Sequence, residues 1–458
     1  MDEPKNELSE QRECRTEEFE ADVAAPTTDL MRSSFFKGGV LSAFGYRDFS
    51  LLWSGAFLSN LGTLIHTTAL LWYVNRLTDS NAWVGAVNFA SFVPIILFVL
   101  YAGSLADRIN RRKLILLTQA AMMIVALALG ITTSIGWSSM WLIMSLTVFM
   151  GIAFAFSFPA WRAMIPDLVP PKDLLNGVAL DAAGYNMARF VGPALGALII
   201  NLFAQGKTLP GLRVGVSWAF YINAISFLAV LVALLFLRYR PPASAPPAES
   251  AWRQMIQGLE YVRSHSWARN LLIVLGISAF FGLSYVVLLP GVAKDVLHKG
   301  SWGYGWLLGG LGLGAVIGAP IVTRLNREIR EKEIIKFSLL ATSLWLILLS
   351  VSRAFWLSLI ASVGIGLSFL MVAASMNTVL QSRVERNMRG RIMSFYILLF
   401  QGTAPIGGLL MGYVADVKSI PFALFIGAIV CLALAVVIII FPAILKDAVS
   451  PAWGTSPD

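Results

Sequence analysis

Two ionisable residues fall deep inside apolar stretches of this chain, and they set the chemistry open to it. Asp181 and Arg189 lie in one run with Tyr185 midway between them. Eight helical residues turn through about 800°, so the two charges stand roughly 80° apart around the axis and about 12 Å along it. They can flank one side of a cavity but cannot pair directly without a third group. A charge in hydrocarbon costs at least about 2.5 kcal/mol, so each must face water, a ligand or a partner. Asp181 is the expected proton-coupling group, whereas Arg189 cannot deprotonate and offers a planar fork to an anionic or polar ligand. Plainer structural roles compete: a hydrated helix mouth for Asp181, and bonds to a neighbouring helix's carbonyls for Arg189. Asn60 and Gln401 fall near mid-depth of other runs and, with Tyr185, are further candidate ligand contacts; amides there also serve to join helices. His66, towards one end of the first run, is a weaker candidate pH-responsive group.

A second cluster occupies a turn between runs: Gly103, Ser104, Leu105, Ala106, Asp107, Arg108, Ile109, Asn110, Arg111, Arg112 and Lys113. A carboxylate at a helix end among basic residues can pair with them or with a neighbouring helix N-terminus, and so latch one face of the molecule. Asn110 is suited to a left-handed turn. In a third motif, Gly192, Pro193 and Gly196 combine small residues that let helices approach closely with a proline that bends one. No zinc-type histidine pair, nucleophile elbow or phosphate loop stands in a suitable context, which argues against an enzyme or an ATP-driven pump. Cys14 and Cys431 cannot plausibly meet, so neither a disulfide nor a metal site is expected, and no cofactor is called for.

The elements that must position these residues are membrane spans. Of 458 residues 57% are hydrophobic and 13% charged, far from the soluble mix of about a quarter charged. Apolar runs at 49–73, 84–106, 114–135, 139–160, 174–203 and 214–237 are followed by a second set at 270–290, 303–322, 334–351, 355–378, 392–414 and 421–445. Each matches a hydrocarbon core of about 30 Å. The expectation is an all-α membrane protein of twelve transmembrane helices in two six-helix bundles, at 47–238 and 270–445. A disordered tail at 1–46, a linker at 239–269 and a short tail at 446–458 complete it. Within the linker, 241–248 is rich in proline and alanine and cannot be helical, while Trp252, Met255, Ile256, Leu259 and Val262 recur at helical spacing. That helix lies either on the membrane or on the protein.

The net charge of +9 is spread in short clusters between runs rather than gathered in a patch, so nucleic acid is not the expected partner. Placing the N-terminus inside assigns about 27 basic residues to cytoplasmic segments and about 7 to external loops. Both termini are then cytoplasmic, in an inner or plasma membrane, and lipids are the surrounding partner. Trp72, Trp83, Trp137 and Trp141 fall near outer ends and read as interface anchors.

The halves also look like repeats: Pro193 and Gly196 map onto Pro405 and Gly408 with one offset, which sets Arg189 opposite Gln401. The 103–113 string resembles the major facilitator signature, with Asn110 in place of its second glycine; the corresponding 318–324 string lacks the aspartate. The 188–197 string resembles the motif of the superfamily's exporters. Strings at 164–170, 221–227 and 389–394 resemble the branch containing the enterobactin exporter and macrolide efflux proteins, and the resemblance extends over nearly all of 47–441. It implies a monomeric secondary transporter exporting an amphiphilic small molecule by alternating access, driven by protons. Thr147 stands where many proton antiporters of the superfamily carry arginine, so coupling must use other groups. The rival readings are a lipid or lysophospholipid flippase of the same fold and a membrane receptor or scaffold that does not transport.

Overall fold

The computed structural model describes residues 39, 41–206, 208–238, 251–328, 331–441 and 445. The stretches 1–38, 241–248 and 446–458, which carry the tail and linker expectations, lie outside the described residues. The described residues include a turn before the first span. Ser42–Gly45 form a 3-10 turn, held where the hydroxyls of Ser42 and Tyr46 donate to the two oxygens of Asp173 at 2.6 and 2.7 Å.

The first half comprises α1 (Arg47–Thr78), α2 (Asn81–Arg108), α3 (Arg111–Ser134), α4 (Met140–Leu168), α5 (Leu174–Phe203) and α6 (Leu209–Phe236). After α7 (Ala251–Ser264) come α8 (Ser266–Gly282), α9 (Tyr285–Gly291) and a π-helical turn Val292–Val296, which together make one span. The second half continues with α10 (Gly300–Glu328), α11 (Glu331–Val351), α12 (Phe355–Arg383), α13 (Arg386–Val417) and α14 (Ile420–Ile440). Eleven of these spans are long and apolar enough to cross a bilayer. α1 is more polar, carrying Ser59, Asn60, His66, Thr67 and Asn75, yet its 32 residues run against α5 and α6 inside the first bundle. With α1 the arrangement agrees with twelve spans.

Successive spans run in opposite directions, so the molecule has two ends. One, here the basic end, holds the α2–α3 turn with Arg111 and Arg112; the far end holds Asp79, Gly136 and Lys294. The halves meet along two seams, α2 against α13 and α5 against α10. These pairs are related by the duplication, since α5 corresponds to α13.

Two spans depart from the expected boundaries. α4 continues past Ala160 to Leu168 with Pro159 and Pro166 inside it. A proline removes one backbone donor, but flanking turns can carry the helix through when neighbours hold it, and Arg111 binds the Ala163 carbonyl at 3.2 Å. The seventh span is longer than 270–290 and broken at Leu283 and Ser284. α7 packs on the protein along one side and leaves apolar side chains uncovered on another. Gly258 is buried against Phe395 and Arg391 of α13, while Ile256 and Leu259 are exposed.

Candidate functional site

α5 carries the central charges because its two faces are occupied differently. On one face a methyl group at Gly192 would come within 2.7 Å of Leu64 Cβ, and one at Gly196 within 3.2 Å of Ile65 O, so α1 lies directly on the helix backbone. On another, a methyl at Gly312 of α10 would reach 2.5 Å from Arg189 O. Arg189 therefore sits where the α5–α10 seam is still tight, near the middle of the helix. The buried Tyr285 hydroxyl of α9 has no hydrogen-bond partner among the described residues. Gln401 holds the corresponding place on α13: its neighbour Gly402 packs on Ile96 of α2. Both residues are partly buried, as is Asn60 on α1, whereas Tyr185 is 48% exposed one turn towards the basic end.

Asp181 has a partner that the sequence reading missed. Arg162 on the extended part of α4 donates to Asp181 Oδ2 at 3.3 Å, and Trp161 Nε1 donates to Oδ1 at 3.4 Å. Arg162 is half exposed, at 53%, whereas Asp181 is only 14% exposed. The arginine also lies over the Phe158 ring at 5.4 Å. The expectation that Asp181 and Arg189 are the only clearly interior charges is thus corrected. Taking Ala160 as the end of the span placed Arg162 in a loop, whereas it belongs to the same helix and supplies the counter-ion. Trp53 completes this region: its indole donates to Leu180 O at 2.9 Å and stacks on Phe57 at 5.4 Å, with Gly184 against its ring.

The basic turn is built from inside the first bundle. Arg111 binds Asp167 of α4 at 2.7 Å, and Arg112 donates to Leu235 and Leu237 carbonyls at the end of α6, at 3.1 and 3.3 Å. These bonds fasten the start of α3, satisfying carbonyls that a helix end leaves unpaired. Asn110 is not left-handed. At φ −55° it is the N-cap of α3, accepting from Lys113 N at 3.2 Å, so it serves as a side-chain acceptor rather than as a glycine substitute. The side chains of Asp107 and Arg108 lie outside the described residues. Gly103 faces open space among the described residues, for a methyl there would meet none of their atoms within 4 Å.

At the far end the seams are shut. A methyl at Gly85 would come within 2.7 Å of Gly408 O, and one at Gly305 within 2.7 Å of Pro193 O. The two helix pairs, though not the individual residues in contact, are counterparts under the duplication. Polar groups also cross: Lys294 pairs with Asp79, and Ser301 donates to Asn201 at 3.3 Å. Trp72 is corrected from an interface anchor to a buried wedge, 4% exposed and stacked on Tyr304 of α10 at 5.9 Å. Its place near a helix end could not reveal that the partner bundle covers it. Trp137 and Trp141 stay largely exposed. His66 is buried against Phe220 inside the first bundle, away from both seams.

Two helical bundles that meet tightly at one end, with polar side chains at the margin of the tight zone, define a membrane carrier. The chain belongs to the family described as transmembrane secretion effector, whose model matches residues 39–452, within the major facilitator superfamily. It is similar to the staphyloferrin A transporter of Staphylococcus aureus, at 24% identity over 80% of this chain and 89% of the relative. Macrolide efflux protein A of Streptococcus pyogenes is 23% identical over 80% and 89%. Among solved structures, a POT family transporter in complex with a thioalcohol-conjugated peptide superposes with a TM-score of 0.71, covering 89% of this chain and 100% of that one at 14% identity. The protein is therefore a multi-pass membrane transporter of the major facilitator efflux type, from a family that carries small molecules and is not enzymatic.

Proposed function

We propose that this protein exports an amphiphilic small molecule by alternating access, exchanging it for protons, with the basic end and both termini in the cytoplasm and the chain working as a monomer in the inner membrane. The observation that carries the reading is the asymmetry of the seams: tight at the far end, open at Gly103, with Arg189 and Gln401 at the margin between. A carrier resting in this state accepts cargo from the cytoplasm. Arg189, Gln401, Asn60 and Tyr185 contact the cargo, the arginine through its planar fork.

Asp181 couples the proton through Arg162. When the carboxylate is ionised the pair bridges α4 and α5; protonation removes its charge and frees the guanidinium. Because the pair lies within the first bundle, coupling needs the freed, half-exposed guanidinium to meet cargo or the second bundle in one state only, since any coupled shift requires a differential effect on the two states. Asp107, at the end of α2, closes the basic face in the opposite state.

Purified protein in vesicles with an imposed pH gradient tests this. Wild type should concentrate a fluorescent amphiphilic anion or zwitterion against its gradient. Asp181→Asn should abolish uphill movement and spare downhill exchange, and Arg189→Lys should slow both about tenfold, a loss of roughly 1.4 kcal/mol. Uphill, pH-dependent export by Asp181→Asn would refute the coupling role. For orientation, a reporter active only outside the cytoplasm should be bright when fused near Gly136 or Lys299 and dark near Arg111 or Ala245. A bright fusion at Ala245 would overturn the proposed topology.

A further inference from the structure

The α2–α13 seam ends in a contact whose chemistry differs from the rest of the interface. Asp416, in the last turn of α13, accepts from Ser80 Oγ at 2.5 Å, from the backbone N–H groups of Asn81 and Ala82 at 2.8 and 3.0 Å, and from Asn81 Nδ2 at 3.1 Å. Ser80 is the N-cap of α2 and itself accepts from Trp83 N at 3.2 Å. The first N–H groups of a helix have no partner within it and carry the positive end of its dipole. Here a carboxylate from the other half of the molecule takes two of them. A methyl at Gly412, one turn back on α13, would collide with Asn81 O, so the two backbones are in direct contact. Ser80 can cap α2 in any state, whereas Asp416 can do so only while the far end is shut.

We propose that Asp416 is the far-end latch of this carrier: by capping α2 in trans it holds the two bundles together at that end, and its release is part of opening outward. The proposal rests on the alternating-access reading above. Lys294 with Asp79 adds an ion pair between the halves at the same end. Among the described residues the counterpart seam shows no such carboxylate. There Ser301 and Asn201 share one neutral hydrogen bond at 3.3 Å, so opening must cost more along α2–α13 than along α5–α10. The same helix pair bears Asp107 at the opposite end of α2, so the two aspartates act as opposed weights on one equilibrium. A charge-assisted bond is worth about 1.5–3 kcal/mol, which corresponds to a shift on the order of tenfold or more when it exists in only one state.

The test is a distance distribution across the far end. Spin labels at Ile135→Cys and Val351→Cys, in full-length protein with Cys14→Ser and Cys431→Ser in lipid nanodiscs, report the separation of the halves by pulsed EPR. Asp416→Asn should move at least tenfold more of the population to the long distance, Ser80→Ala less, and Asp107→Asn in the opposite direction. A merely structural role would lower thermal stability without that opposed pair of shifts, so melting temperature and gel-filtration profile are recorded beside it. An unchanged distribution for a folded Asp416→Asn protein overturns the latch, even if proton-driven export is intact. Opposed shifts in a protein that shows no export uphold the latch and sink the transport reading.

Discussion

The two ends of α2 meet the second bundle in contrasting ways. Towards the far end Gly85 is pressed on the backbone of α13 and the helix start is capped by Asp416, whereas a methyl at Gly103, several turns along, would meet no described residue within 4 Å. α5 repeats the contrast against α10, with Pro193 covered and Tyr185 exposed. The same glycine-to-backbone approach recurs in both seams because the halves are repeats. The difference between ends therefore reflects how the bundles are tilted, not how each is built. Within each bundle the bonds are of another kind: Arg111 with Asp167 and Arg112 with α6 stay inside the first half and cross neither seam.

The most severe way to break this comparison is steric. Gly305→Leu should prevent the far end from closing and reduce transport by more than about a hundredfold, since an overpacked contact against backbone has no side chain to yield. Gly103→Leu should leave the described state undisturbed and lower transport only through the opposite state. Equal far-end distances in wild type and Gly305→Leu would show that the seam is not a closing surface. Next is the α4–α5 ion pair: if Arg162 is the counter-ion of Asp181, Arg162→Gln should change the pH dependence of transport, while Asp181→Asn removes it. Identical pH profiles for wild type and Arg162→Gln would detach the arginine from coupling. Smaller still is the bond internal to the first half. Arg111→Gln should cost about 1–3 kcal/mol of stability by removing the charge-assisted bond to Asp167 and the bond to the Ala163 carbonyl, lowering the melting temperature by a few degrees, with far-end distances unchanged. A shift in those distances would mean that Arg111 acts between halves as well as within one. Trp137→Ala, at an exposed interface position, should alter neither transport nor the distances by more than about twofold.

Most of the site residues were visible in the sequence as polar groups in apolar runs, since hydrocarbon penalises charge so heavily that survivors stand out. Arg162 did not stand out, because it follows Pro159 and precedes Pro166 and so looked like the far side of a boundary. Asp416 was hidden for a related reason. A carboxylate at the end of a span is ordinary, and its bonds to residues more than 300 positions away leave no local trace. Asn110 was read for its backbone when it is used for its side chain.

Chain composition and periodicity by themselves determined that this protein is a bundle of membrane helices in two related halves, because the bilayer demands apolar segments of one length with their backbone bonds satisfied internally. The duplication was legible too, down to the pairing of Arg189 with Gln401. Tertiary structure alone decided which end is shut, which tryptophan is buried, and which arginine answers Asp181. Those outcomes depend on how one bundle is tilted against the other, which contacts between residues far apart in the chain set and local sequence does not record.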